Sequence, residues 1–293
     1  IPIGSGFLVG QAFHQPVMTT VFIGLCVAIT ALPVSIRILM DLGKLHTDIG
    51  QKIISVAIFD DVLALTILGI LLDFKDLDSS YSEVTKMTIW TILKLLLFVS
   101  VIVGTYKLIQ HFAKRENFLE TQLDKLISVL RGKESLFALL FVFILIFATL
   151  TESIGLHFII GSFFASMLLS KKLIGEKNLA TFHKTTNSMA MGFLAPIFFA
   201  GIGLEFKLGS INNILLLVAI LAVSFLSKII GGYIGGRISL LSHRESLTLA
   251  YGMNARGIME LVIANIAYRE GFINVEVFSM LVIMGLVTTL STP

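Results

Sequence analysis

Charge is what this sequence has least of. Asp, Glu, Lys and Arg make up 14% of its 293 residues, about half the share found in an ordinary soluble domain. Beside 56% hydrophobic residues, that figure excludes a disordered chain. The net charge of +3 is too small to hold a polyanion, so no nucleic-acid partner is expected. A single cysteine, Cys26, excludes an internal bridge and with it a small disulfide scaffold. No charged stretch with a cleavage site marks a signal peptide, and the chain opens on Ile1, so an earlier segment is expected to precede it. What is abundant is apolar sequence, at a mean hydropathy of +0.93. This composition indicates an all-α polytopic membrane protein, with the lipid bilayer as its first partner; the plasma (cell inner) membrane is its expected location.

A helix needs about 20 mostly apolar residues to cross roughly 30 Å of hydrocarbon. Nine stretches qualify, approximately 17–40, 50–72, 88–110, 136–152, 156–170, 189–205, 212–236, 246–267 and 275–292. Of these, 156–170 is short enough to be tilted or partly re-entrant, and residues 1–13 read as the tail of a truncated tenth helix. Loop charge sets the orientation, because cytoplasmic loops carry the Lys/Arg excess. Lys44, Lys114, Arg115, Lys125, Arg131, Lys133, Lys171, Lys172, Lys177, Lys184, Arg237 and Arg244 lie on one side. Only Lys75, Lys86, Lys207 and Arg269 lie on the other. Twelve against four places the first side, and the C-terminus at Pro293, in the cytoplasm. The amphipathic 111–135 stretch reads as an interfacial or linker helix.

Most charge within the spans can reach the interface. Arg37, Lys52, Lys94 and Lys107 sit near span ends and can snorkel. Lys228 cannot do so easily, as the only charge in INNILLLVAILAVSFLSKIIGGYIGG. A charge near the bilayer centre costs at least ~2.5–3.5 kcal/mol, so it needs a partner or a watery cavity. The partner is legible in IISVAIFDDVLALTILGILL, whose only charges are Asp60 and Asp61. Adjacent helical residues point about 100° apart, so one aspartate can face a basic side chain while the other faces a cavity. Repulsion and desolvation favour the protonated forms and a nearby ammonium the ionised ones, which gives a site where protons and a hard monovalent cation compete. The alternative is a pair that merely stabilises the fold.

Two spans are interrupted. In VFIGLCVAITALPVSIRILM, Pro33 removes an amide and disturbs the turn holding Thr30 and Ala31. In LAYGMNARGIMELVIANIA, Gly252, Asn254 and Gly257 fall within six residues. Broken backbone at membrane depth is tolerated where it is buried or lines a cavity. Each break lies in the middle helix of a group of three, one group at each end of the chain, and loop counting makes the two broken helices antiparallel. This is the pattern of an inverted-repeat transporter. It divides the chain into a first core repeat (1–72), scaffold and linking helices (73–206) and a second core repeat (207–293). Arg256 and Glu260 are spaced to share a helix face, as a stiffening pair or a gating pair. Glu205 reads as interfacial, the six histidines as loop or span-end residues, and Gly231, Gly232, Gly235 and Gly236 as close helix packing.

FDDVLAL around Asp60 and Asp61, LAPIFFAGIGLEF at 194–206, SKIIGG around Lys228 and YGMNARGIMELVIANIA at 251–267 occur in this order. Together they resemble the second branch of the monovalent cation:proton antiporter superfamily, over residues 17 to 293 or nearly so. The resemblance implies that Asp61 is the shared ion- and proton-binding carboxylate and the residue that meets the metal ion, sodium or another monovalent cation. It implies that Asp60 pairs with Lys228 and that Thr30 lends an oxygen ligand from the unwound front helix. Relatives with two adjacent aspartates tend to be electrogenic and sodium-selective, and relatives often form homodimers. Ala31 stands where some relatives carry an acidic residue and supplies only backbone.

The expected function is therefore secondary active exchange of a monovalent cation, sodium favoured, for protons. It is transport without a cofactor and without an enzymatic reaction. Potassium/proton antiport and sodium-coupled uptake of an organic solute are the rival readings. An aspartyl protease is excluded by its need for two aspartates on separate helices, and a passive channel lacks coupling of one gradient to the other.

Overall fold

The computed structural model describes residues 1–73, 81–113, 133–169 and 174–291. Helices dominate: α1 (Pro2–Ala12), α2 (Val17–Ala28), α3 (Leu32–Asp41), α4 (Asp48–Asp73) and α5 (Tyr81–Ala113). After these come α6 (Lys133–Ser153), α7 (Phe158–Leu168) and α8 (Glu176–Glu205), which contains a π turn at Ala190–Leu194. The chain closes with α9 (Ile214–Ile238), α10 (His243–Gly252), α11 (Ile258–Arg269) and α12 (Val275–Ser291). Most of the expected interfacial helix at 111–135 lies outside the described residues, as do the loop charges Lys75, Lys114, Arg115, Lys125, Arg131, Lys171 and Lys172.

Five helical stretches among the described residues are long and apolar enough to cross a membrane: Val17–Asp41, Asp48–Leu72, Ile89–Lys107, Glu176–Glu205 and Ile214–Ile238. Phe137–Ser153, Phe158–Leu168 and Val275–Ser291 are apolar but shorter. The 11 residues of α7 rise only about 16 Å at 1.5 Å each. Large apolar side chains stand exposed along α5 (Trp90, Leu93, Leu96, Leu97) and α8 (Phe193, Leu194, Ile197). Water would penalise such surfaces, and hydrocarbon does not. The protein is an integral, multi-pass membrane protein.

Two compact units share the chain, residues 65–199 in one and 1–64 with 200–293 in the other. The first of these packs Phe98, Ile102, Leu156, Ile160 and Leu168 into one core and Leu140, Ile174 and Phe182 into another. The second contains every residue singled out above as an ion-site candidate. Its core includes Phe22, Ile23, Phe278 and Met280, with Phe22 stacked on Phe272 at 5.0 Å.

A constant shift of 226 residues relates two parts of this second unit. It carries the start of α2 to that of α10 (243 − 17) and the start of α3 to that of α11 (258 − 32). Among the described residues, the non-glycine residues with positive φ are His14 (52°) and Leu240 (59°), which the same shift relates. Helix contacts repeat as well. A Cβ added at Gly6 would lie 2.6 Å from the Gly24 backbone, and one at Gly10 within 2.9 Å of Thr20. Shifted by 226, these become Gly232 against the Ala250 backbone at 2.7 Å and Gly236 against Ser246 at 2.9 Å. Of the four glycines noted on α9, Gly232 and Gly236 make the close approach, while Gly235 meets nothing within 4 Å. The turn that leads into α10 is closed by a capping box, Ser242 with Glu245.

Filling these contacts should cost stability. Gly232→Val or Gly10→Val is expected to destabilise the protein by about 1–3 kcal/mol through overpacking, read as a lower thermal midpoint in detergent, whereas Gly235→Ala leaves the midpoint unchanged.

Candidate functional site

The two helix breaks meet. α2 stops at Ala28, and the backbone runs extended through Ile29 (ψ 144°) to Ala31 (ψ 97°). Pro33 then lies in the first turn of α3, where a missing amide costs nothing; it starts a helix rather than bending a continuous one. α10 stops at Gly252, and Ala255 to Gly257 separate it from α11. The Ala31 amide donates to the Ala255 carbonyl at 2.8 Å, joining the two extended segments. A Cβ on Gly257 would come within 2.9 Å of the Ala31 Cβ, so the close approach depends on glycine there.

Each break leaves helix-end carbonyls that need donors. At the end of α2, Arg256 donates to the Cys26 and Val27 carbonyls, both at 2.6 Å, and to the Ser224 carbonyl of α9 at 3.2 Å. At the end of α10, Ser35 donates to the Gly252 carbonyl at 3.2 Å and Thr30 to the Met253 carbonyl at 3.3 Å. A guanidinium therefore sits against the negative end of one half-helix, and hydroxyls sit against the other.

α4 brings its aspartates to this crossing. Asp60 Oδ2 accepts from the Thr30 hydroxyl at 2.6 Å and from Lys228 Nζ at 2.9 Å, and Lys228 also donates to Thr30 Oγ1 at 2.5 Å. The Lys228 side chain is 5% exposed and that of Asp60 25%. Asp61 points elsewhere; its Oδ1 is buried without a hydrogen bond. A cavity of about 330 Å³ opens onto the Asp60–Lys228 pair, lined also by Val56, Gly231, Gly235 and Met253. Asn254, buried in the turn that ends α10, lies next to Met253.

Arg256 and Glu260 form an ion pair at 3.5 Å with both side chains fully buried. They do so across the break, because Arg256 precedes α11, and the shared helix face expected for them does not exist. Neither Glu260 oxygen has a hydrogen bond. Sequence reasoning missed the larger role of Arg256 at the carbonyls of α2; a permanent cation beside a helix break in an apolar span was the available signal. Glu205, read as merely interfacial, accepts from Asn265 at 2.6 Å and pairs with Arg269 at 2.8 Å, tying the end of α8 to α11. Glu276 similarly accepts from the Asn212 and Asn213 amides at 2.8 and 2.9 Å, before α9.

A buried lysine and aspartate joined by one threonine, at the meeting of two helix breaks, form a charged centre inside an apolar protein. The family model for "Sodium/hydrogen exchanger, transmembrane" matches residues 1–293. The chain belongs to this family. It is thus a transporter in the monovalent cation:proton antiporter superfamily and not an enzyme. The exchanger is 28% identical to a Na(+)/H(+) antiporter of Enterococcus hirae, over 100% of this chain and 72% of that protein. It is 30% identical to the Na(+)/H(+) antiporter NhaS4 of Synechocystis sp., over 98% of this chain and 68% of that protein. The Na(+)/H(+)-K(+) antiporter GerN of Bacillus cereus is 26% identical over 100% of this chain and 71% of its own length.

Thr30 is the shared oxygen of the centre, so Thr30→Val should leave the Asp60–Lys228 pair short of a partner on both sides. The expected loss is about 1–3 kcal/mol, seen as a lower thermal midpoint, with Thr30→Ser close to wild type.

Proposed function

We propose that this exchanger moves a monovalent cation, sodium favoured, against protons by alternating access, with Asp61 as the carboxylate that both occupy in turn. The observation that carries this reading is the charge arithmetic of the crossing. Asp60 is matched by Lys228 and Glu260 by Arg256, which leaves Asp61 with an unbonded, buried oxygen. One cation or one proton neutralises it, and the two cannot share it without restoring an excess charge that the bilayer interior resists. The Asp60 carboxylate lines the cavity beside Lys228 and holds Thr30 Oγ1 at 2.6 Å, oxygens of the kind that suit a hard cation. No resident cofactor is required, since the ion is cargo.

In this reading α2–α3 and α10–α11 are two discontinuous membrane helices. They are the middle members of inverted repeats spanning 1–72 and 207–293, within a bundle of about nine spans and a truncated tenth. The 226-residue shift supports the repeat. Residues 73–206 then serve as scaffold and as the place for homodimer contacts, in a plasma membrane with the C-terminus cytoplasmic. If Lys228 also gives up a proton when the cation displaces it from Asp60 and takes one back on the return, two protons move per cation and exchange is electrogenic. The name of the Bacillus cereus relative joins sodium and potassium, which keeps potassium as the second reading.

Vesicles holding the exchanger and a pH-sensitive dye test the assignment. Asp61→Asn is expected to abolish sodium-driven proton movement while the protein still inserts; movement that survives would remove Asp61 from the mechanism. Lys228→Ala should lose or alter the voltage dependence of exchange, and an unchanged reversal potential would contradict the role given to its pair with Asp60. Running wild type against sodium, lithium and potassium across pH separates the two cation readings.

A further inference from the structure

The 226-residue shift applies to hydrogen bonds as well as to helices. It carries Thr30 to Arg256 and Val27 to Met253. The contact from Thr30 to the Met253 carbonyl therefore has a counterpart in the contact from Arg256 to the Val27 carbonyl. Each break is capped by the same position of the opposite repeat. The pair Ala31 and Gly257 maps onto itself, so this contact lies where the two repeats exchange places.

The two caps differ in charge. Thr30 is neutral and bonds to Lys228 and Asp60, which line the cavity. Arg256 brings a fixed cation to its counterpart position, where the groups around its guanidinium are the carbonyls of Cys26, Val27 and Ser224 and the carboxylate of Glu260. Those are oxygens from α2, α9 and α11, together carrying one negative charge when Glu260 is ionised. They are fully buried around a side chain with no exposed surface. Neither Glu260 oxygen has a hydrogen bond; its ion-pair partner is Arg256 at 3.5 Å, with the Lys228 ammonium also near enough to act on its charge. A buried oxygen set of this kind, with one net negative charge, is what a small monovalent cation needs.

We propose that these four oxygen sources form a second cation site, kept permanently filled by the tethered Arg256 guanidinium, and that removing this head group opens the site to a free monovalent cation. The site is the repeat-related counterpart of the one read above as the transport site, and the proposal rests on that reading. Arg256 thereby limits the exchanger to one exchangeable cation and holds the end of α2 in place beside Thr30.

Free guanidinium is the probe. In the full-length Arg256→Ala variant, exchange should fall about tenfold or more, as expected for losing charge-assisted hydrogen bonds. Millimolar guanidinium chloride should restore several-fold activity and raise the variant's thermal midpoint, with choline chloride as the ionic-strength control. Wild type should respond to neither salt, and Arg256→Ala/Glu260→Gln should lose the guanidinium response. Sodium binding by calorimetry should rise from one ion per wild-type chain to two in Arg256→Ala. If Arg256→Ala cannot be recovered folded, Arg256→Lys decides, because an ammonium can still reach the carbonyls. Partial exchange without a guanidinium response supports the site, and a folded Arg256→Lys protein with no exchange above empty vesicles overturns it. An Arg256→Ala protein that folds but gains neither midpoint nor activity with guanidinium also overturns it. The thermal and calorimetric arms do not require transport, so a missing guanidinium response overturns the second site alone, whereas a failure of wild-type exchange overturns the antiport reading, and the two failures are told apart.

Discussion

Backbone that leaves helical geometry inside a bilayer must find hydrogen bonds in the protein, because the surrounding lipid offers none. That requirement organises the ion-site unit. Two helices end at the crossing and give their terminal carbonyls to side chains from the other break. Their extended segments bond to each other through Ala31 and Ala255. Once that arrangement is in place, little else is free. Gly257 must be small, α9 must bring Ser224 and Lys228 to the crossing, and α4 must offer its acids from the remaining side.

The same constraint sets the electrostatics. Carbonyl ends of helices are partial negative charges, and here they meet a guanidinium at one break and hydroxyls at the other. The carboxylates add full charges, each costly unless matched. Lys228 answers Asp60 at hydrogen-bonding distance, while Arg256 answers Glu260 loosely because its nitrogens are committed to carbonyls. The looser of these pairs and the unbonded oxygen of Asp61 are the least compensated charges of the crossing.

Much of this was legible before any coordinates. Lys228 and the two aspartates stand out because lone charges in apolar runs need partners, and the structure brings Lys228 to Asp60 with Thr30 between them. Pro33 and the Gly252–Gly257 run flagged the breaks for the simple reason that proline and glycine are poor inside helices. What stayed hidden depends on distance in the chain. Arg256 was read against Glu260, four residues away, although its stronger bonds go to Cys26 and Val27, 230 and 229 residues away. Spacing within a helix says nothing about carbonyls that a break exposes elsewhere. The partners of Glu205 were equally hidden, since Asn265 and Arg269 lie on another helix. The repeat itself left few identical residues and became plain through glycine contacts and matched turns.

Synthesis runs from one end of the chain to the other, and the ion-site charges are not made together. Asp60 and Asp61 enter the bilayer on α4, while Lys228 is translated 168 residues after Asp60. Through that interval the acids have no basic partner at their depth. The young α4 has to carry them as neutral acids or keep them beside water until α9 arrives. The ammonium that pairs with Asp60 in the finished protein therefore arrives late, and a chain released before residue 228 would lack it.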